Sequence, residues 1–80
     1  MGLAKSEEEL AKRAAAYLKA ELRKADVTYA ELAKRLKKHG FKNETEASIT
    51  NKLARGTFAA TFFLACLAAL ELPSVALEDV

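Results

Sequence analysis

The sequence predicts an all-α fold: a single domain, residues 1–80, built as a compact bundle of four to five helices. Three observations carry that reading. Alanine and leucine are abundant and β-branched residues few, and Ala and Leu lose little side-chain freedom in a helix. Apolar residues recur at three- and four-residue spacing, the period of a helix that buries one face. Helix-start patterns and glycine stops alternate along the chain at helix-length intervals. A chain of 80 residues buries only roughly 60% of its unfolded surface, so each large apolar side chain counts.

Ser6-Glu7-Glu8-Glu9 has the pattern of a capping box and starts a first helix over about 7–25, with three acids at its positive end. Leu10, Ala14, Tyr17, Leu18, Glu21, Leu22 and Ala25 form its expected inner stripe. After a short turn at Asp26-Val27, Thr28-Tyr29-Ala30-Glu31 starts a second helix over about 29–39. That helix buries Leu32, Ala33 and Leu36 and leaves Lys34, Arg35, Lys37 and Lys38 largely outside. Gly40 is a left-handed stop, with Phe41 packing back on the helix end. Asn43 and Thr45 are both able to cap the third helix, expected over about 44–54 and stopped by Gly56. A fourth helix over about 59–71 carries Phe62, Phe63, Cys66, Leu67 and Leu70 on one broad face, with Leu64 off it. Pro73 breaks the chain, and Ser74 caps a short last turn over about 74–78. The apolar run 58–70 is thirteen residues long, short of the ~20 that span a bilayer, and reads as a buried helix.

The net charge of +2 hides an asymmetry. Residues 12–55 hold twelve of the thirteen Lys and Arg and five of the eleven acids, a local +7. Residues 1–11 carry −2 and residues 56–80 carry −3. A basic middle is what a polyanion partner requires; a solvated surface would also account for it.

With Ile49 pointing inward, Leu53 follows about 40° away on the third helix, at ~100° per residue. The opposite side then holds Ala47, Asn51 and Ala54, with Glu44, Ser48 and Arg55 beside them and Lys52 on the flank. Small residues let a helix approach base edges closely. Asn pairs with adenine, Ser bonds to several bases, and Arg bonds to guanine or phosphate. An ordinary amphipathic surface helix has the same appearance.

The order of these elements resembles the lambda repressor and Cro family, the Xre-type helix-turn-helix domains. The likeness covers about residues 18–72. It rests on Leu18-Lys19-Ala20-Glu21-Leu22-Arg23, Thr28-Tyr29-Ala30-Glu31-Leu32-Ala33, Ile49, Leu53, Arg55-Gly56 and the apolar end of the fourth helix. The layout is also similar to a small bacterial family for which no activity is established. The chain departs from the helix-turn-helix pattern where Tyr29 replaces the usual Gln, where Ala54 replaces the usual Glu, and in a turn after Gly40 about one helical turn longer. Aligning Ile49 with the core isoleucine of the pattern buries more apolar area than the alternative, which would bury Thr50.

The resemblance and the helix face together imply a DNA-binding protein, a small transcriptional regulator reading the major groove of double-stranded DNA with the third helix. The expected base contacts are Ala47, Ser48, Asn51 and Arg55. The expected phosphate contacts are Thr28, Tyr29, Lys34, Lys37, Lys38 and Lys52. Such domains bind as two-fold dimers, and Leu64, Leu72, Val75 and Leu77 supply an apolar surface for a homodimer. The alternative is a protein–protein interaction module on the same scaffold without DNA binding, motivated by Tyr29 and by Glu44 and Glu46.

No enzyme, cofactor, metal or small-molecule substrate is expected. His39 sits in a lysine-rich helix end, where a cation complements the helix dipole. Cys66 lies on an apolar face as a structural thiol, and no His/Cys cluster offers metal ligands. Gly40 and Gly56 are helix stops rather than parts of a phosphate loop. One cysteine cannot form an intramolecular disulfide, and Met1–Lys5 is too short for the apolar core of a signal peptide. A cytoplasmic setting follows as the expectation.

Overall fold

The computed structural model describes residues 6–80 and contains four α-helices with no strand among them. Helix α1 spans Glu7–Ala25, α2 Tyr29–Leu36, α3 Glu46–Arg55 and α4 Ala60–Ala69. A 3₁₀ turn at Lys37–His39 extends α2, and a second at Leu77–Asp79 ends the chain.

Each of the first three helices starts on a hydroxyl. Ser6 Oγ accepts the Glu9 N–H at 3.1 Å, and Thr28 Oγ1 accepts the Glu31 N–H at 3.1 Å. Thr45, not Asn43, caps α3, so this helix starts at Glu46 rather than Glu44. The deciding residue is Ser48: its N–H donates to Thr45 Oγ1 at 3.1 Å while its Oγ accepts the Thr45 N–H at 2.8 Å. Serine thus fills the place that Glu or Gln holds in the usual capping box. Helix α4 has no side-chain cap, being preceded by Ala59.

Three of the helical segments end in the same way. Asp26, Gly40 and Glu71 take left-handed backbone, with φ of 58°, 89° and 59°. The residue after each donates its N–H five residues back: Val27 to Leu22 at 2.9 Å, Phe41 to Leu36 at 3.1 Å and Leu72 to Leu67 at 3.0 Å. This is the Schellman stop, and in each case the apolar residue after the left-handed position returns toward the helix it closes. The fourth helix therefore ends at Ala69, short of the expected 71.

The core joins Leu18, Leu22, Leu32, Leu36, Ile49, Leu53, Phe62 and Cys66, all at most 2% exposed. Ile49 is buried and Thr50 is exposed, with its hydroxyl on the Glu46 carbonyl. Phe62 sits at the centre of the aromatic side chains, 5.5 Å from Phe58 and edge-on to Phe41 at 6.2 Å. Tyr17 of α1 meets Phe63 at 6.4 Å.

Of the expected α1 stripe only Leu18 and Leu22 are buried; Ala14, Tyr17 and Glu21 are half-buried, Leu10 is 54% exposed and Ala25 is exposed. Buried Ala15, Leu18 and Leu22 set the true inner face, and Leu10 lies roughly 110° around the helix from its centre. Ala25 is the last residue before the chain reverses at Asp26. The final turn forms at Leu77–Asp79 rather than at 74–78, without a cap from Ser74, and its end returns to α1 beside Tyr17 and Lys24. Of the expected dimer surface, Leu64 and Leu77 are exposed while Leu72 and Val75 are half-buried.

Helix α3 packs chiefly on α2 and α1, and α4 packs chiefly on the same two. Around the bundle the order is therefore α1, α3, α2, α4. Helix α3 is flanked by α1 on one side and α2 on the other.

Candidate nucleic-acid interface

Helix α3 buries Ile49 and Leu53, half-buries Ser48 and Lys52, and shows the rest of its surface outward. Ala47, Thr50, Asn51, Ala54 and Arg55 are exposed, as is Glu46 at its start. Of the expected base contacts, Ala47 and Asn51 stand on this open face. Arg55 lies at its C-terminal end, where Nε donates to Thr57 Oγ1 at 3.4 Å. The Ser48 hydroxyl is committed: besides accepting from Thr45 it donates to Glu44 Oε1 at 2.6 Å.

Lys52 turns inward. Its ammonium bonds to the Glu44 carboxylate and stands 4.8 Å from the centre of the Phe62 ring. The two side chains are 27% and 11% exposed. Burial pushes the Glu44 carboxyl up, but hydrogen bonds from Lys52 and Ser48 and the Lys52 charge outweigh it, leaving the pKa below its ordinary value. Glu44 thus stays ionised, and its charge is matched locally instead of facing outward from the start of α3. Sequence reasoning placed both residues on the rim of α3 and missed their pairing, because Glu44 lies outside the helix that carries Lys52.

Six of the Lys and Arg side chains line two grooves. One lies between the ends of α2 and α4, with a volume of about 420 Å³, and is lined by Lys34, Arg35, Lys38 and His39 together with Glu31 and Glu71. Arg35 is fixed there, its Nε donating to Glu31 at 3.1 Å and its Nη1 to the Ala69 carbonyl at 3.3 Å. A cation at that point meets the negative end of α4. The other groove, of about 230 Å³, lies between α1 and α3 and is lined by Lys12, Lys19 and Arg55 over a floor of Ala15, Ala16, Ala54 and Gly56.

Residues 2–75 match the profile of the family described as Domain of unknown function (DUF6471). The chain belongs to this family. No curated protein and no solved structure matches it.

The remaining expected contacts of this DUF6471 chain sit around α2. Thr28 is exposed but holds the α2 cap, and Tyr29 is half-buried against the core. Lys34, Lys37 and Lys38 are exposed. Lys34 and Lys38 line the α4 side of α2, whereas Lys37 lies about 160° around the helix axis from Arg35.

His39 is exposed at the end of α2. Cys66 is fully buried, and burial, with Glu44 adding to it and Lys52 opposing it, pushes its thiol up to about 12. A thiol held protonated in this way is a poor nucleophile. Among the described residues no group of His, Cys, Asp or Glu is placed to hold a metal ion, and no helix is long and apolar enough to cross a membrane.

Proposed function

We propose that this DUF6471 domain binds double-stranded DNA, with α3 entering the major groove, and acts as a small transcriptional regulator of the helix-turn-helix kind. The observation that carries the reading is the surface of α3. It is buried at Ile49 and Leu53, with Lys52 turned in beside them, and its outer face is small or polar at Ala47, Thr50, Asn51 and Ala54. A helix with such a face comes close to base edges, and the Asn51 amide offers the donor–acceptor pair that adenine accepts. The carboxylate of Glu44, which would repel phosphate if it faced outward, is matched by Lys52.

Base contacts fall to the exposed Ala47 and Asn51. Binding of this kind weakens steeply with salt, because each neutralised phosphate releases counterions. Fluorescence anisotropy with mixed genomic duplexes at low and high salt tests it. Absence of binding at about 50 mM salt would sink the proposal, and Asn51→Ala should weaken binding without unfolding the chain.

A second reading has one specific observation in its favour. Leu64 is 61% exposed on the outer side of α4, a helix with no charged residue along it. A helix apolar on all sides is normally covered. In this reading the domain is a protein-interaction module, and Leu64→Asp abolishes activity while Asn51→Ala leaves it intact.

A further inference from the structure

The geometry points to α1, rather than the lysine-rich end of α2, as the element that grips DNA phosphates beside α3. This inference rests on the DNA-binding reading and moves its main electrostatic contact to Lys12, Lys19 and Arg55.

In the order α1, α3, α2, α4 around the bundle, α3 has one groove with α1 and another with α2. Lys34 and Lys38 open into the groove between α2 and α4, whose lining also holds Glu31 and Glu71. The α1/α3 groove is lined by Lys12, Lys19 and Arg55 with no acid among its lining residues. Three cations from two helices therefore converge immediately beside the reading face.

The spacing suits a backbone. Lys12 and Lys19 are seven residues apart, about two helical turns, so they lie on one stripe of α1 about 10.5 Å apart along its axis. Cations that far apart meet different phosphates of a polymer rather than one free anion. Lys19 is exposed and has no ion-pair partner among the described residues. Lys12 is 3.8 Å from Glu8, with both side chains about four-fifths exposed, a pairing that a phosphate readily replaces. The alanine and glycine floor leaves room for a sugar–phosphate chain to lie close. Arg55, at the α1 end of α3, joins this row as a phosphate contact instead of reading a base. Glu7 and Glu8 line the adjoining hollow, which Lys12 and Arg55 also face, so two of the three cations stand near acids that DNA phosphates would have to outcompete.

The test is the salt dependence of binding to a fluorescein-labelled random-sequence duplex, with helicity checked by circular dichroism. The slope of log K against log salt should fall by about two in the Lys12→Ala/Lys19→Ala double variant and by about one in Arg55→Ala. It should stay at the wild-type value in Lys34→Ala/Lys38→Ala. If the wild type binds and the Lys12/Lys19 variant keeps its slope, or if both double variants lose slope equally, the assignment to α1 is overturned while DNA binding stands. If the wild type itself does not bind at about 50 mM salt, both fall together.

Discussion

The Lys52 ammonium closes on the Glu44 carboxylate and stands 4.8 Å from the centre of the Phe62 ring, so one side chain of α3 ties the preceding loop to the middle of the core. The pair is partly sheltered, and Ser48 adds a second hydrogen bond to the same carboxylate. Glu44→Ala should cost about 1–2 kcal/mol in urea unfolding, the range for a sheltered hydrogen bond to a charged group. Lys52→Met should also destabilise, by leaving the carboxylate without its cation. The double variant should lose less than the two single losses added together.

The same carboxylate gives the protein an acid limb. Its folded pKa lies below the ordinary 4.5, so the unfolded chain takes up the proton first as pH falls. The stability from this group is complete above pH 4.5 and drains away as pH drops through the folded value. Urea midpoints measured from neutral pH downward should show the gap between wild type and Glu44→Gln held constant to about pH 5 and narrowing below it.

Asp26 and Glu71 hold left-handed backbone that costs a non-glycine residue roughly 1–2 kcal/mol, more than glycine loses through its greater unfolded freedom. Asp26→Gly and Glu71→Gly should each raise stability by about 0.5–1 kcal/mol, read as a higher urea midpoint at unchanged slope. Gly40→Ala runs the other way. An added methyl there meets nothing within 4 Å, so its loss of about 1 kcal/mol would be purely conformational.

Cys66 should resist thiol reagents in the native state. With its pKa at about 12, only on the order of 10⁻⁴ of it is thiolate at pH 8, and the sulfur is fully buried besides. Labelling followed by mass spectrometry should be slow in buffer and should accelerate sharply across the urea transition. Fast labelling in buffer would mean that α4 opens readily.

Phe62→Ala should cost about 3–5 kcal/mol, because the ring is 2% exposed and is shared by Phe41, Phe58 and the Lys52 charge. Against the 5–15 kcal/mol typical of a domain, that is enough to leave a sizeable unfolded population near 37 °C.

Much of this fold is legible because its signals are local. Ser6 and Thr28 mark helix starts, Gly40 and Gly56 mark stops, and Leu32, Leu36, Ile49 and Leu53 keep helical spacing wherever the helices pack. Leu10 keeps the spacing and yet lies outside, because the inner face of α1 is centred on Ala15, Leu18 and Leu22, roughly 110° away around the helix. The stops at Asp26 and Glu71 carry no glycine. What sets them is the apolar residue that follows, whose N–H reaches back five residues. Thr45 wins the α3 cap over Asn43 through Ser48, a signal readable only by admitting Ser where Glu is usual. The Glu44–Lys52 bond spans eight residues and a helix boundary, and no periodicity encodes it. Which cations line which groove depends on which helices are neighbours, and that is decided by the whole core at once.

Gly56 sits where the end of α3 runs against α1, with φ of 74°, and a Cβ built on it would lie 3.3 Å from the Ala11 carbonyl oxygen. The gap between the two helices is thus gauged by a hydrogen atom where any other residue would carry a carbon. Backbone meets backbone there, so no side chain can repack to absorb a change. A methyl at that point would require the α1 backbone at Ala11 to give by a few tenths of an ångström, on the helix that also carries Lys12 and Lys19. In this fold a single missing methyl acts as the spacer between the two helices that carry Lys12, Lys19 and Arg55.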